Sequence, residues 1–283
     1  MLARLTRQSF DSPDHLFELK WDGIRALAFI DGGRLRLQSR DLKDLTPLFP
    51  ELATLPKRVE AGDTVLDGEL VCFDDEGRPS LELMQRRLKR QEQGRVVRNP
   101  KVHFVAFDLL FLGGTSVMDE PLSLRKTLLQ EVLKPSDNVQ ACEFIDSEGK
   151  AFFQATCDLG LEGIMAKDKS GVYLAGKRSP GWQKIKRVRE CEFVVGGYAF
   201  GGKRREPYSS LLLGLYDDRQ RLVFVGQVGT EFSKPETRRL YETLEQLHTP
   251  ISPFARPPKL SAFTYWCNPE LVCNVEYGEF NTN

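Results

Sequence analysis

Long apolar runs are missing from this chain. The longest, such as residues 109–112 and 211–213, fall far short of the roughly 20 residues that span a bilayer, and the N-terminal Met1-Leu-Ala-Arg-Leu-Thr-Arg never reaches a signal-peptide apolar stretch. Histidine is scarce, at three in 283 residues, and none of the six cysteines (Cys72, Cys142, Cys157, Cys191, Cys267, Cys273) falls in a Cys-x-x-Cys pair. Neither a zinc knuckle nor a disulfide framework is written here, so reduced thiols in a cytoplasm are expected. Net charge is absent as well: 40 basic side chains cancel 40 acidic ones. That excludes a histone-like polycation and requires any polyanion to be held by local patches. No repeat and no low-complexity tract interrupts the chain, which sets solenoids and linkers aside. What remains is a globular composition, with 41% hydrophobic, 28% charged and 10% aromatic residues and a mean hydropathy of −0.36. The length suits about two domains.

Residues 16–20 read as a strand that stops at Asp22-Gly23, and residues 24–30 pair with 34–38 across Asp31-Gly32-Gly33. A second strand pair is expected around Asp67-Gly68. Leu81, Met84 and Leu88 share one helical face, and Leu124, Leu128 and Val132 share another behind Ser123 as N-cap. A third helix, over 148–159, starts after Ser147 and ends at Gly160, which suits a left-handed cap. Past the basic segment 182–189 the pattern turns to strands over 192–200, 209–216, 222–228 and 271–277. One helix breaks them, opened by the capping box Ser233-Lys234-Pro235-Glu236 and carrying Leu240, Leu244 and Leu247 as its buried stripe. Short strands with a single helix are the content of a small Greek-key barrel, the OB type among them. The expected class is α+β: antiparallel sheets with flanking helices, then an OB-type β-barrel, with domains 1–188 and 189–283.

Lys20-Trp21-Asp22-Gly23-Ile24-Arg25 places a lysine at a strand end before a tight turn. By itself this pattern also describes a solvated lysine beside a hairpin. Further segments follow in order: Ser39-Arg40, Asp67-Gly68-Glu69, the Phe107 segment of residues 103–108, Glu162-Gly163-x-x-x-Lys167 and Trp182-x-Lys184-x-Lys186. Together they resemble motifs I, Ia, III, IIIa, IV and V of the covalent nucleotidyltransferases. Within that superfamily the chain is most similar to the ATP-dependent DNA ligases, in particular the ligase module of bacterial ligase D. The first domain is then a nucleotidyltransferase (adenylation) domain.

The chemistry accounts for the residue types. Attack on an α-phosphate needs a neutral amine, whereas a free lysine titrates near pH 10.4. Neighbouring cations disfavour the ammonium and stabilise charge on the phosphoryl oxygens, and Arg25, Lys167, Lys184, Lys186 and a bound Mg²⁺ or Mn²⁺ are the expected ones. The resemblance implies that Lys20 is catalytic and carries AMP from ATP, that Glu18 reads the adenine amino group and that Phe107 stacks on the base. It further implies that Glu69 and Glu162 stand near ribose and metal, that Lys167 and Lys184 meet the α-phosphate, and that Arg40 meets ribose or the nick phosphate. Surface glutamate, core phenylalanine and, for Lys186, a solvated basic run are the ordinary alternatives. Trp182 reads as structural.

The basic runs 86–101 and 177–189 and the loop Lys203-Arg204-Arg205 are candidate phosphate contacts, with Arg86, Arg87 and Arg90 foremost in the first. The implied partner is nicked duplex DNA, with a Ku-like end-binding protein in non-homologous end joining, and a monomer in a bacterial cytoplasm at the nucleoid. The family's motif VI is expected after residues 275–280, where the chain ends at Asn281-Thr282-Asn283, and only residues 1–16 precede the lysine strand. If motif VI is lacking, lysine adenylation should slow more than sealing of an adenylated nick. An RNA ligase, a capping-type guanylyltransferase and a non-catalytic nucleic-acid-binding module are the competing readings.

Overall fold

Ala26, Ala28 and Ile30 point inward from a strand over Ile24–Asp31 and are at most 5% exposed, the period-two burial of a sheet with one covered face. The computed structural model describes residues 1–92, 99–200, 208–229, 232–260 and 263–277. Two units divide the chain, Met1–Arg187 and Val188–Asn283.

The first unit holds two sheets. Its strands are β1 (Leu2–Thr6), β2 (His15–Leu19), β3 (Ile24–Asp31), β4 (Arg34–Ser39), β5 (Thr64–Cys72), β6 (Val102–Leu112), β7 (Thr115–Ser116), β8 (Val139–Ala141), β9 (Phe144–Asp146), β10 (Gly163–Asp168) and β11 (Arg178–Lys186). Its α-helices are α1 (Leu81–Glu92), α2 (Leu122–Val132) and α3 (Gly149–Asp158). One sheet runs β1-β11-β10-β2-β9 and the other β4-β3-β5-β6-β7, with β8 added beside β6. Most pairings are antiparallel as expected, but β1–β11 and β6–β8 are parallel. The second follows from α2 lying between its strands, since parallel neighbours need a crossover.

Each sheet has its own core. Phe17, Ile164, Ala166 and Ile185 pack against Phe152 and Phe153 of α3, while Leu66, Leu70, Phe104 and Leu109 build the larger one. Met1, Leu110, Tyr173 and Trp182 form a third cluster that joins residues of both sheets, with Phe107 and Met165 against it. The site lies beside this cluster.

Two local expectations are corrected. Asp67-Gly68 is not a turn between paired strands but the middle of β5, where Asp67 is fully buried. A shift in the β5–β6 register falls between these two residues, and a Cβ on Gly68 would lie 2.6 Å from the Phe104 ring. Close approach, and not chain reversal, requires the glycine. In α2 the N-cap is Pro121 instead of Ser123, and the buried face is Leu122, Arg125, Lys126 and Leu129, with Leu124 42% exposed. Buried charges on that face hid its true stripe from a reading based on apolar spacing.

The second unit contains β12 (Arg189–Phe200), β13 (Ser210–Tyr216), β14 (Leu222–Val228), α4 (Lys234–Gln246), β15 (His248–Thr249) and β16 (Phe263–Tyr277), in the sheet order β14-β13-β12-β16-β15. This is the OB-type sheet. The capping box forms, with the Ser233 N–H donating to Glu236, and Leu244 is fully buried. All six cysteines are unpaired.

Candidate active site

Lys20 stands where the chain leaves one sheet for the other. Its N–H donates to the Gly163 carbonyl at 2.9 Å, extending the β2–β10 ladder one residue past Leu19, and β3 of the second sheet begins at Ile24. Asp22 anchors the crossing by accepting the Leu81 N–H of α1 at 3.1 Å. Gly23 permits it, because a Cβ there would fall 2.2 Å from the Leu70 carbonyl oxygen.

A cavity of about 150 Å³ opens beside the lysine, lined by Lys20, Glu18, Arg25, Glu69, Phe107 and Lys167, with Trp21, Met165 and Trp182 among its other walls. Six residues singled out from the sequence thus meet in one place. Two more join at its rim: Glu162 ion-pairs with Lys20 through one oxygen and with Lys186 at 2.7 Å through the other. Lys184 lies on β11 within electrostatic reach of Lys20 and Lys186, and among the described residues it has no ion-pair partner. Arg40 does not join them. It is exposed and lines a separate cavity of about 560 Å³, which shares Arg25 and Leu2 with the first.

The expected cluster of free cations is instead balanced by carboxylates. Arg25 makes a two-pronged bond to Asp67, at 2.9 and 2.5 Å, and also donates to the Met1 carbonyl and the Tyr173 hydroxyl. Tyr173 in turn donates to Asp67 at 2.8 Å. Lys167 is 1% exposed and sits 2.6 Å from Glu18, its Nζ over the rings of Trp182 (4.1 Å) and Phe107 (4.6 Å). Glu18 also pairs with Lys126 from α2. Burial pushes the Glu18 carboxyl up, but the two lysines outweigh it and hold the group below the usual carboxylate range. One carboxylate cannot neutralise both ammoniums; burial and Lys126 leave Lys167 lowered despite Glu18.

Glu69 differs from the other acids. Burial pushes its carboxyl up to about 8, only partly offset by Lys20 and Arg25, and it forms no hydrogen bond or ion pair among the described residues. An unpartnered carboxylate beside Glu162 gives an oxygen-only donor pair, the kind that suits a Mg²⁺ retaining most of its waters. Among the described residues no three His, Cys, Asp or Glu side chains gather into a cage.

The expected DNA contacts separate by burial. Arg86 and Arg90 on α1 are exposed, but Arg87 is not a surface residue: its side chain is fully buried. It donates to the carbonyls of Pro100 (2.7 Å) and Leu48 (3.2 Å), pairs with Glu51 at 2.6 Å and lies over the Phe49 ring. Helical period decides this, since Arg87 is one turn from Met84 on the core face. Lys203, Arg204 and Arg205 lie outside the described residues.

Sequence reading missed Lys126, Asp67 and Tyr173. For Lys126 a signal existed: Arg125 and Lys126 stand three and four residues from Leu122, on the face that also carries Leu129. Asp67 belonged to a quoted motif but was taken as turn chemistry, and nothing local marks Tyr173. Trp182, read as structural, is a wall of the cavity.

The ATP dependent DNA ligase domain matches residues 1–186, and the ATP dependent DNA ligase C terminal region matches residues 204–283. The multifunctional non-homologous end joining protein LigD of Mycobacterium bovis is 37% identical over 268 residues, covering 93% of this chain but 34% of that protein. A DNA ligase of Pyrobaculum neutrophilum is 33% identical over 276 residues, covering 91% of this chain and 47% of the relative. The chain therefore spans about a third to a half of the length of these curated relatives. Among solved structures, mycobacterial DNA ligase D complexed with ATP and MES aligns with a TM-score of 0.60 at 32% identity, over 99% of this chain and 89% of that one. The ligase domain of Mycobacterium tuberculosis LigD gives 0.59 at 32% identity, over 99% and 90%. By motif, sequence and fold, the chain belongs to the ATP-dependent DNA ligases.

Proposed function

We propose that this chain seals nicks in duplex DNA that carry 5′-phosphate and 3′-hydroxyl ends, through an AMP held on Lys20. The observation that carries this is the convergence of Lys20 with Glu18, Arg25, Glu69, Phe107 and Lys167 around one cavity, with Glu162 at the amine. Lys20 Nζ gives up its ammonium proton to solvent and attacks the α-phosphorus of ATP; an N–P bond forms, the α–β bridging P–O bond breaks and pyrophosphate leaves, the nitrogen losing a second proton to solvent as the phosphoramidate forms. The 5′-phosphate of the nick then takes the AMP, freeing the lysine, and the 3′-hydroxyl displaces AMP to close the strand.

The purine lies against Phe107, with the buried Glu18–Lys167 pair at its edge. This assigns Lys167 to the base end of the cavity, since its Nζ is held by Glu18 and two rings, and leaves Lys184 and Lys186 for the phosphates. Arg25, fixed by Asp67 and Tyr173, faces the ribose side, and Arg40 reaches the nicked strand from the larger cavity. Glu69 and Glu162 would hold Mg²⁺ or Mn²⁺, which supplies neutralisation of the phosphate charge when bound. Exposed Arg86 and Arg90 contact DNA phosphates without reading sequence. Residues 1–188 serve as the adenylation domain and 189–283 as the OB-fold domain. The likeness to the end joining protein LigD supports a place in non-homologous end joining, where a Ku-like end-binding protein is the partner the family resemblance implies. The test is ATP-driven sealing of a nicked duplex by the wild type and by Lys20→Ala. Sealing by the wild type alone is expected; equal sealing by both, or preference for nicked RNA, overturns the proposal.

A further inference from the structure

Lys126 lies outside every motif that identified the family, yet its ammonium is buried against the site. The side chain is 2% exposed, comes from the second turn of α2 and pairs with Glu18 Oε1, while Lys167 pairs with Oε2 at 2.6 Å. Its neighbour Arg125, also fully buried, is bonded to Asp108 at 2.7 and 2.9 Å and to the carbonyls of Glu120 and Gly171, so this turn of the helix is fixed to β6 and to the segment after β10. Beyond these ion contacts, Glu18 Oε1 and both lysine Nζ atoms have no hydrogen-bond partner among the described residues. A buried group in that state has hydrogen-bonding capacity left for a ligand.

We infer that Lys126 is a positioning residue for nucleotide selection: anchored in α2, it pins one oxygen of Glu18 while Lys167 pins the other, so the carboxylate is held in one plane as an acceptor for a purine with a 6-amino donor. This rests on the proposed placement of the base beside Glu18. A carboxylate can only accept hydrogen bonds, so a 6-oxo purine would set acceptor against acceptor and a purine without a 6-substituent would leave the oxygen unanswered. Two cations on the two oxygens remove the carboxylate's freedom to rotate or to take up a proton. With Lys126 gone, Oε1 loses its ion partner and the carboxylate can swing onto Lys167 alone.

The experiment uses the full chain and follows AMP transfer to Lys20 against concentration of ATP or of purine riboside triphosphate, which lacks the 6-amino group. In the wild type the KM for ATP should lie at least about tenfold below that for the analogue, the scale of a hydrogen bond to a charged group. Lys126→Met should raise the KM for ATP about tenfold, toward that of the analogue, leave the analogue's KM unchanged and lower the maximal rate much less; Lys126→Arg should restore most of the discrimination. Equal rises for both nucleotides, a fall in maximal rate alone, or an unchanged KM for ATP would overturn the inference. If Lys126→Met does not fold, as its circular dichroism would show, Lys126→Gln carries the test, with a loss in the same direction. A wild type that takes no AMP from ATP overturns the proposed function itself, whereas a wild type that does, with discrimination intact in the Lys126 variant, overturns only this inference.

Discussion

Replacing Arg87 with alanine should unfold the protein sooner and leave its electrostatic grip on DNA unchanged, the reverse of what a place in a basic run suggests. The Arg87 side chain is fully buried and its partner Glu51 is 18% exposed. Among the described residues, truncation leaves the Pro100 carbonyl without its donor, strips the cation from Glu51, which keeps only the Val102 N–H, and takes one of two donors from the Leu48 carbonyl, which keeps the Gln91 amide. Breaking a buried pair in this way costs about 3–5 kcal/mol, which lowers the melting midpoint by roughly 10 °C in a domain of this size. Arg86 is 63% exposed, and its i,i+4 partner Glu82 is 58% exposed. Arg86→Ala and Arg90→Ala should therefore change stability by less than about 0.5 kcal/mol. Denaturant titration gives the stabilities, and nicked-duplex binding across a salt series gives the charge count. Each of Arg86 and Arg90 that meets a phosphate should reduce the slope of log K against log salt by about 0.9 when removed, and Arg87→Ala, assayed cold, should keep the wild-type slope. An Arg87→Ala protein with wild-type stability and a shallower slope would refute this reasoning.

Three further outcomes follow from the site. Glu69 holds its proton up to about pH 8 when folded but loses it above about 4.5 when unfolded, so metal-free stability should fall as pH rises through that window. Glu69→Gln should remove this slope and stabilise the metal-free protein at pH 7 by up to about 3 kcal/mol, measured by denaturation in EDTA at several pH values, while slowing adenylation. Tyr173→Phe deletes the hydroxyl shared by Arg25 and Asp67; about 1 kcal/mol of stability should go, with adenylation slowed in a stopped-time gel assay. Gly163→Ala would place a Cβ 2.1 Å from the Ile185 carbonyl oxygen at a φ of +141°. Displacing the first residue of β10, next to Glu162, should lower both the melting midpoint and the adenylation rate, since the Gly163 carbonyl also holds the Lys20 N–H.

Much of both units was legible because their signals are local. The Asp31-Gly32-Gly33 turn joins β3 and β4, Gly160 caps α3 with φ +76°, and Ser233 with Glu236 opens α4. The site motifs were legible as a set because their spacing carried a family likeness, not because any one of them is distinctive. What escaped was set by tertiary contact. Asp67-Gly68 has turn composition but lies in a central strand, where Phe104 leaves no room for a side chain. The face of α2 was misjudged because Arg125 and Lys126 are buried only by virtue of Asp108 and Glu18, far away in sequence. For the same reason the supposed excess of positive charge around Lys20 proved to be a lattice of ion pairs: partners such as Arg25 and Asp67 are brought together by strand register.

The central claim is that Lys20 Nζ accepts AMP. Intact-protein mass before and after incubation with ATP and Mg²⁺, followed by peptide mapping, tests it most directly. One AMP on the Lys20 peptide, absent with Lys20→Ala and discharged by pyrophosphate, is the predicted result. No adduct, or an adduct that survives Lys20→Ala, would contradict the account.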